Sequence, residues 1–197
     1  VRWIIDRADI IKYAPRPPRS CHSESARRSC VSACGETPEY GSVSNDGSVI
    51  TSAADSLQIR MFGRGAHGSM PQASVDPVVM AAATVLRLQT IVSRELAASE
   101  AAVVTVGSLQ AGDKENVIPD EAVIKLNVRT FDEGVRTRVL AAIERIVHAE
   151  AAASGALQPP EITLLDRYAL VRNDPGATRR VVDAFRQHFP ADRLYET

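Results

Sequence analysis

The strongest constraint on how this chain folds is a regular alternation of strand-like and helix-like segments from about Gly47 onward. Two helix-like segments begin at Asp76-Pro77 and at Asp132, and the second ends near Gly155. Four strand-like segments, with a period of two or a β-branched composition, are SLQIRMFG, AAVVTVGSLQAG, AVIKLNVRTF and PPEITLLDRYALV. The order strand, helix, strand, strand, helix, strand predicts an α+β fold, a ferredoxin-like βαββαβ sandwich. It comprises a four-stranded antiparallel sheet with two helices on one face.

Each predicted helix carries apolar residues at helical spacing, which indicates a stripe that packs on the sheet. In the first helix the stripe comprises Val78, Ala82, Val85, Leu86, Val92 and Leu96. In the second helix it comprises Val135, Val139, Ile143 and Ile146. A third helix is predicted from Asp174-Pro175 to Phe189, outside the βαββαβ pattern.

The face of the sheet opposite the helices is expected to be polar and open. On the third strand the apolar residues alternate with polar ones, so three polar side chains share that open face: Lys125, Asn127 and Arg129.

Residues 1–46 differ from the rest, because they are rich in Arg, Ser and Pro and have no helical or strand period. We predict an irregular segment there, followed by a linker over residues 47–56. Its polar residues Cys21, His22, Cys30 and Cys34 are candidate metal ligands, but their spacing lacks the close pairs of zinc sites, so no metal is expected. Three cysteines in one segment also argue against a secreted disulfide framework.

Charge and hydropathy exclude several classes of partner. A net charge of −1 argues against capture of nucleic acid or of an anionic membrane. No apolar run approaches the ~18 residues of a membrane-spanning helix, and no secretory leader opens the sequence. We therefore expect a cytoplasmic protein with neither a nucleic-acid nor a membrane partner.

The stretch GRGAHGSMP (residues 63–71) sets one histidine, His67, among glycines. By itself a single loop histidine is more often an ordinary surface residue, and His148 and His188, on helices, are interpreted in that way. Asn116 has an ordinary interpretation as an Asx turn before Pro119.

Three motifs resemble one family when they are taken together and in order: GRGAHGSMPQASVDPVVMAA, ENVIPDEA and VRTFDEGVR. They resemble the lid, or dimerisation, domain of the M20 metallopeptidase and amidohydrolase family, and in particular the N-acyl-amino-acid and hippurate hydrolases. The resemblance covers about residues 48–189. It implies a lid over residues 57–171 and, over residues 172–197, the truncated start of the segment that returns to the catalytic domain. The ferredoxin-like fold of the family's lid agrees with the fold predicted from periodicity.

The resemblance also implies roles for particular residues. His67 corresponds to the histidine that reaches into the partner subunit's active site and polarises the scissile carbonyl. Asn116 and Arg129 correspond to residues that hold the substrate's carboxylate, although Arg129 has an ordinary interpretation as a solvated strand residue paired with an acidic group. Gly65 and Gly68, with Gly63, are expected to adopt conformations closed to other residues and to let the substrate approach the backbone.

The family holds two divalent metals, zinc, manganese or cobalt, in its catalytic domain, and the ligands of that domain are missing from this sequence. It contains no Glu-Glu dipeptide and no His-x-Asp. We therefore expect no metal bound by this chain. Because family members are about twice this length, we interpret the chain as a fragment, and a shifted frame or a degraded gene would account for residues 1–46.

The sequence thus predicts the lid and dimerisation part of a metal-dependent amidohydrolase. The enzyme would hydrolyse N-acyl amino acids or related small amides and peptides, as a homodimer joined through the lid. The alternative is a non-catalytic ferredoxin-like module for self-association or small-molecule binding. His67, Asn116 and Arg129 together favour the enzyme, because an association module needs none of them.

Overall fold

The computed structural model of the protein describes residues 49–188, except for the side chain of Ile50. The predictions for residues 1–46, including the four candidate metal ligands there, lie outside the described residues. Residues 51–171 form one compact unit, whereas residues 49–50 and 172–188 belong to a second.

The strands are β1 (Val49–Thr51), β2 (Ala53–Phe62), β3 (Ala66–His67), β4 (Ala102–Ala111), β5 (Val117–Ile118), β6 (Glu121–Thr130), β7 (Glu161–Tyr168) and β8 (Val171–Arg172). The helices are α1 (Pro77–Thr90), α2 (Glu133–Ala153) and α3 (Pro175–His188). A 3₁₀ turn (Pro71–Ala73) precedes α1, and a π-helical turn (Ile91–Glu95) follows it.

The principal sheet has four strands in the order β4-β6-β2-β7. Every neighbouring pair is antiparallel. Helix α1 packs on β4, β6 and β2, and helix α2 packs on β6 and β2, so both helices cover one face. The predicted ferredoxin-like βαββαβ fold is therefore confirmed. Strand β2 begins at Ala53, earlier than residue 57, where the lid was predicted to begin.

The predicted ends of the helices agree with the structure. The Asp76 carboxylate accepts a hydrogen bond from the backbone N–H of Val78 at 2.8 Å, directly before α1. The Asp132 carboxylate accepts one from Val135 at 2.9 Å at the start of α2. After α2 the chain turns at Gly155, whose φ of 72° is a left-handed conformation that favours glycine.

The predicted stripe of α2 is confirmed, since Val135, Val139, Ile143 and Ile146 are all buried. The predicted stripe of α1 is largely wrong, since only Val85 and Leu96 of it pack against the core, both partly buried. The face of α1 that packs on the sheet is instead made of Pro77, Met80, Ala81, Thr84 and Leu88, followed by Ile91. Four of the predicted residues are exposed: Val78, Ala82, Leu86 and Val92, with Leu86 at 73%. Helix α1 is apolar on two faces, and composition alone does not tell which one meets the sheet.

One buried ion pair fastens α2 to the sheet. Asp55 of β2 is only 1% exposed, and its two carboxylate oxygens accept hydrogen bonds from Nε and Nη2 of Arg136 at 2.7 and 2.8 Å. Arg136 also contacts Glu133 at 3.0 Å, one turn earlier in α2. The hydrogen bonds that Arg136 donates to Asp55 raise the pKa of the Arg136 guanidinium, although burial opposes that shift.

We expect Arg136→Met to destabilise the protein by about 3–5 kcal/mol, because it leaves the buried Asp55 carboxylate with only the exposed Arg167, 3.5 Å away. The control is Arg138→Met, two positions further along α2, where an exposed arginine pairs with Glu100. An exposed pair contributes about 0–1 kcal/mol. Urea denaturation of both variants measures the difference, and equal losses for the two would contradict the role of the buried pair.

Candidate functional site

The loop that follows β2 is folded against the segment that precedes β6. Strand β3 pairs antiparallel with β5, so that His67 lies opposite Val117. Beyond the last pair, the backbone N–H of Gly68 donates to the carbonyl oxygen of Asn116 at 2.8 Å. This pairing brings together Gly68 and Asn116, which are 48 positions apart in the sequence (116 − 68).

Asp120 holds the base of the same loop. Its backbone carbonyl accepts a hydrogen bond from the N–H of Gly63 at 2.7 Å, and its carboxylate accepts one from the N–H of Gly65 at 2.8 Å. On the other side, Arg64 and Val75 exchange two backbone hydrogen bonds at 2.9 and 3.0 Å. Hydrogen bonds therefore hold the loop on both sides, and they fix the backbone that carries His67.

The expectation that the loop glycines adopt conformations closed to other residues is wrong. Among the described residues, only Gly112 and Gly155 have a positive φ. The loop glycines are instead required by close packing, since a Cβ on Gly65 would lie 2.8 Å from the carbonyl oxygen of Ile118. A Cβ on Gly68 would lie 3.0 Å from that of Asn116. Contact of Gly65 and Gly68 with a substrate stays a prediction.

The His67 side chain is exposed. One of its two ring nitrogens has hydrogen-bond partners within the domain. Its Nδ1 lies 2.8 Å from Oγ of Ser69 and 3.2 Å from the backbone nitrogen of the same residue. Its Nε2 has no hydrogen-bond partner within residues 49–188. The imidazole thus presents one free nitrogen to a molecule outside the domain.

The side chain of Asn116 is exposed beside this loop. Its amide makes no hydrogen bond within the described part of the chain, so the Asx turn considered as its ordinary role is not formed. The amide is therefore available for a ligand, with one acceptor and two donor positions.

Arg129 lies on the open face of the sheet, near the far end of β6. Its Nε donates to Oδ1 of Asn127 at 3.0 Å, and the Asn127 amide in turn donates to Oγ of Ser56 at 3.1 Å. Arg129 makes no ion pair with a carboxylate of the described residues, contrary to its ordinary interpretation. The hydrogen bond from Nε to Asn127 orients the planar guanidinium of Arg129, and its remaining N–H donors stay available for a ligand.

The structure does not bring Arg129 to the His67 loop. The loop is fastened at Asp120, next to the first residue of β6, whereas Arg129 is eight residues further along the same strand. At about 3.3 Å per residue, the eight residues of β6 between Glu121 and Arg129 span about 26 Å. His67, Asn116, Gly65 and Gly68 belong to one pair of hydrogen-bonded segments, and Arg129 lies toward the opposite end of β6 from the point at which the loop is fastened.

Two residues of the loop region were missed in the sequence. These residues are Ser69, two positions after His67, and Asp120, directly after the Ile-Pro of ENVIPDEA. Apart from those positions, nothing in the sequence indicates a role for either residue. Each makes its contact through tertiary structure or a tight turn, which periodicity does not reveal.

A metal does not fit this group. Within residues 49–188, no three His, Cys, Asp or Glu side chains lie close enough to hold an ion. The two divalent metals that the resemblance implies therefore have no ligand set among those residues. Over the same residues, no helix has both the length and the apolar character needed to cross a membrane.

Comparison with known proteins identifies the domain. The family model described as peptidase dimerisation domain, of the M20 group, matches residues 51–154. A hippurate hydrolase of Campylobacter jejuni is 43% identical over 84 residues, which cover 43% of this chain and 22% of that protein. An N-acyl-L-amino acid amidohydrolase of Geobacillus stearothermophilus is 42% identical over 104 residues, which cover 53% of this chain and 28% of that protein.

A solved structure supports the fold. The aminobenzoyl-glutamate utilization protein from Klebsiella pneumoniae superposes with a TM-score of 0.64 at 22% identity, covering 79% of this chain and 38% of that one. At this identity the likeness concerns the fold alone. The chain matches between about a fifth and two fifths of the length of these relatives.

Proposed function

The chain belongs to the peptidase dimerisation domain family of the M20 enzymes, and we propose that it is the lid and dimerisation part of an amidohydrolase. The enzyme would cleave the amide bond of N-acyl amino acids or related small amides and peptides, a class suggested by the names of the relatives. The two divalent metals of the reaction remain a prediction for the enzyme's catalytic domain, and no described residue is assigned to them.

The observation that carries this proposal is the pairing of β3 with β5. It pairs the His67 backbone with Val117 and brings the backbone of Gly68 to that of Asn116, on a loop fastened by Asp120, and both the His67 and the Asn116 side chains are exposed there. Amide hydrolysis develops negative charge on the carbonyl oxygen, and a donor fixed in advance stabilises that charge without reorganisation. A rigid loop with an outward imidazole suits that role.

Arg129 suits the recognition of a carboxylate, because a guanidinium grips its two oxygens with parallel hydrogen bonds. Within one chain, however, Arg129 lies eight residues along β6 from Glu121, about 26 Å at extended spacing from the end of the strand at which the His67 loop is fastened. A small N-acyl amino acid does not span that distance. We therefore propose that each substrate is held by Arg129 of one chain and by His67 and Asn116 of the other.

The edge strand β4 is the proposed contact between the two chains. Its ten residues, AVVTVGSLQA, contain no charge and no proline, the features that usually protect an edge from pairing. The opposite edge, β7, carries Glu161, Asp166 and Arg167. Helix α1, which packs on β4, and the π-helical turn that follows it expose the apolar side chains of Val78, Val79, Leu86 and Val92. An apolar helix surface next to an unprotected edge favours self-association.

The role of His67 is tested by grafting residues 51–171 in place of the lid of an active relative. We expect His67→Ala to lower kcat by about a hundredfold or more, since one fixed oxyanion donor is typically worth that much. The control is His148→Ala, an exposed histidine of α2. Arg129→Ala should instead raise KM, with Lys125→Ala, on the same open face, as its control.

Steady-state kinetics on the grafted enzymes separate the outcomes. A loss below about threefold for His67→Ala would make the loop histidine ordinary and would favour a non-catalytic association module.

The contact through β4 is tested by two matched double variants. Thr105→Lys with Leu109→Lys puts charge on the β4 edge, and Thr163→Lys with Leu165→Lys puts it on β7, where the leucine is equally exposed, 46% against 45%. We expect the wild-type chain to dimerise at about tens of micromolar, and only the β4 variant to lose at least about tenfold in affinity. Sedimentation equilibrium measures this, and a monomeric wild-type chain or equal behaviour of the two variants would contradict the proposal.

A further inference from the structure

The contacts of His67 determine which of its ring nitrogens carries the proton. A backbone N–H has no lone pair to offer, so the N–H of Ser69, 3.2 Å from Nδ1, meets that nitrogen only as a donor. The hydroxyl of Ser69, 2.8 Å from the same atom, adds a second donor. Nδ1 is therefore an acceptor, and the neutral ring carries its hydrogen on Nε2.

The position of Ser69 is itself fixed by the turn. The N–H of Met70 donates to the carbonyl of His67 at 2.8 Å, which closes the turn around Gly68 and Ser69. The N–H of Gly68 is held by Asn116 at 2.8 Å. Hydrogen bonds therefore hold both ends of the segment Gly68-Ser69. The N–H and the hydroxyl of Ser69 are already positioned next to the His67 imidazole.

The tautomer matters for a donor role. With the hydrogen on Nδ1, the outward Nε2 would present a lone pair, which repels a developing oxyanion. Only the fraction of molecules with the hydrogen on Nε2 would then be competent, and the rate would fall with that fraction.

We propose that Ser69 is a positioning residue, which holds His67 in the Nε2–H tautomer and so leaves the hydrogen on the ring nitrogen that has no partner among the described residues. The functional meaning rests on the proposed role of His67 in carbonyl polarisation. The tautomer itself is a property of the folded chain and does not depend on catalysis.

The test is the ¹⁵N chemical shift of each ring nitrogen, measured by NMR on the full ¹⁵N-labelled chain. At a pH of about 8.5 an ordinary histidine is neutral. The protonated and unprotonated ring nitrogens then resonate far apart, and a mixture of tautomers gives intermediate values. Single His→Gln variants assign the signals.

Two other histidines of the chain are internal references. Nδ1 of His188 lies 2.9 Å from the carbonyl oxygen of Ala184, which only accepts, so His188 should show the opposite tautomer. His148 has no side-chain hydrogen bond among the described residues and should show the mixture of a free side chain.

We expect His67 to show a single Nε2–H tautomer, and Ser69→Ala to lower the ratio of Nε2–H to Nδ1–H by about two- to tenfold, the effect of one net hydrogen bond. Ser69→Thr, which keeps the hydroxyl, should restore the wild-type shifts. Ser74→Ala is the control, since that serine donates to Pro71 and not to the histidine.

A mixture of tautomers at His67 in the wild-type chain would overturn the proposal. Shifts that do not change in Ser69→Ala would also overturn it, provided that the amide spectrum shows the fold intact. Neither result bears on whether His67→Ala slows a grafted enzyme, so the failure of this inference and that of the proposed function are distinguishable.

Discussion

Strand β6 is the element on which the rest of the domain depends. It is hydrogen-bonded to β4 on one side and to β2 on the other, and both registers extend over most of its ten residues. Alternate side chains, Ile124, Leu126 and Val128, are buried under the two helices. The remaining ones face the opposite side, so a single period of two creates both the core and the open polar face.

The length of β6 also sets the geometry of the candidate site. At its first residue it meets the loop that carries His67, and near its last it carries Arg129. A fully paired strand neither folds back nor shortens, so the two ends stay about 26 Å apart. For a small substrate, a site that uses both ends requires a second chain. The unprotected edge of β4, next to β6, is the surface that we propose for that second chain.

Much of the fold follows from the sequence, because the signals that define it are local. The caps at Asp76 and Asp132 and the alternation in β6 and β2 need no knowledge of tertiary structure. Knowledge of tertiary structure is needed, however, to tell which face of α1 packs on the sheet. In the sequence, a core stripe is suggested equally by Val78, Leu86 and Val92 and by Met80 and Leu88. Only packing on the sheet shows that the second set is buried.

The motifs propose His67, Asn116 and Arg129 as candidate site residues, and their roles stay predictions. No motif gives the length of β6 that separates the end where the His67 loop is fastened from Arg129. The loop glycines were identified for a wrong reason, since none of them has a positive φ. What excludes a side chain is the backbone of the β5 segment at Gly65 and Gly68, and the carbonyl oxygen of Val75 at Gly63. Ser69 and Asp120 were missed, because hydrogen bonds across a turn or between distant segments leave no period in the sequence.

The central claim, that one substrate is held by residues of two chains, is tested most directly by mixing two impaired variants of the grafted enzyme, His67→Ala and Arg129→Ala. In a mixed dimer one site has lost both residues, whereas the other combines His67 of one chain with Arg129 of the other. In an equimolar mixture that exchanges subunits at random, the account predicts that roughly one site in four regains wild-type kcat/KM at low substrate concentration. A mixture that shows only the mean of the two homodimers would mean that His67 and Arg129 act within one chain, and would contradict the account.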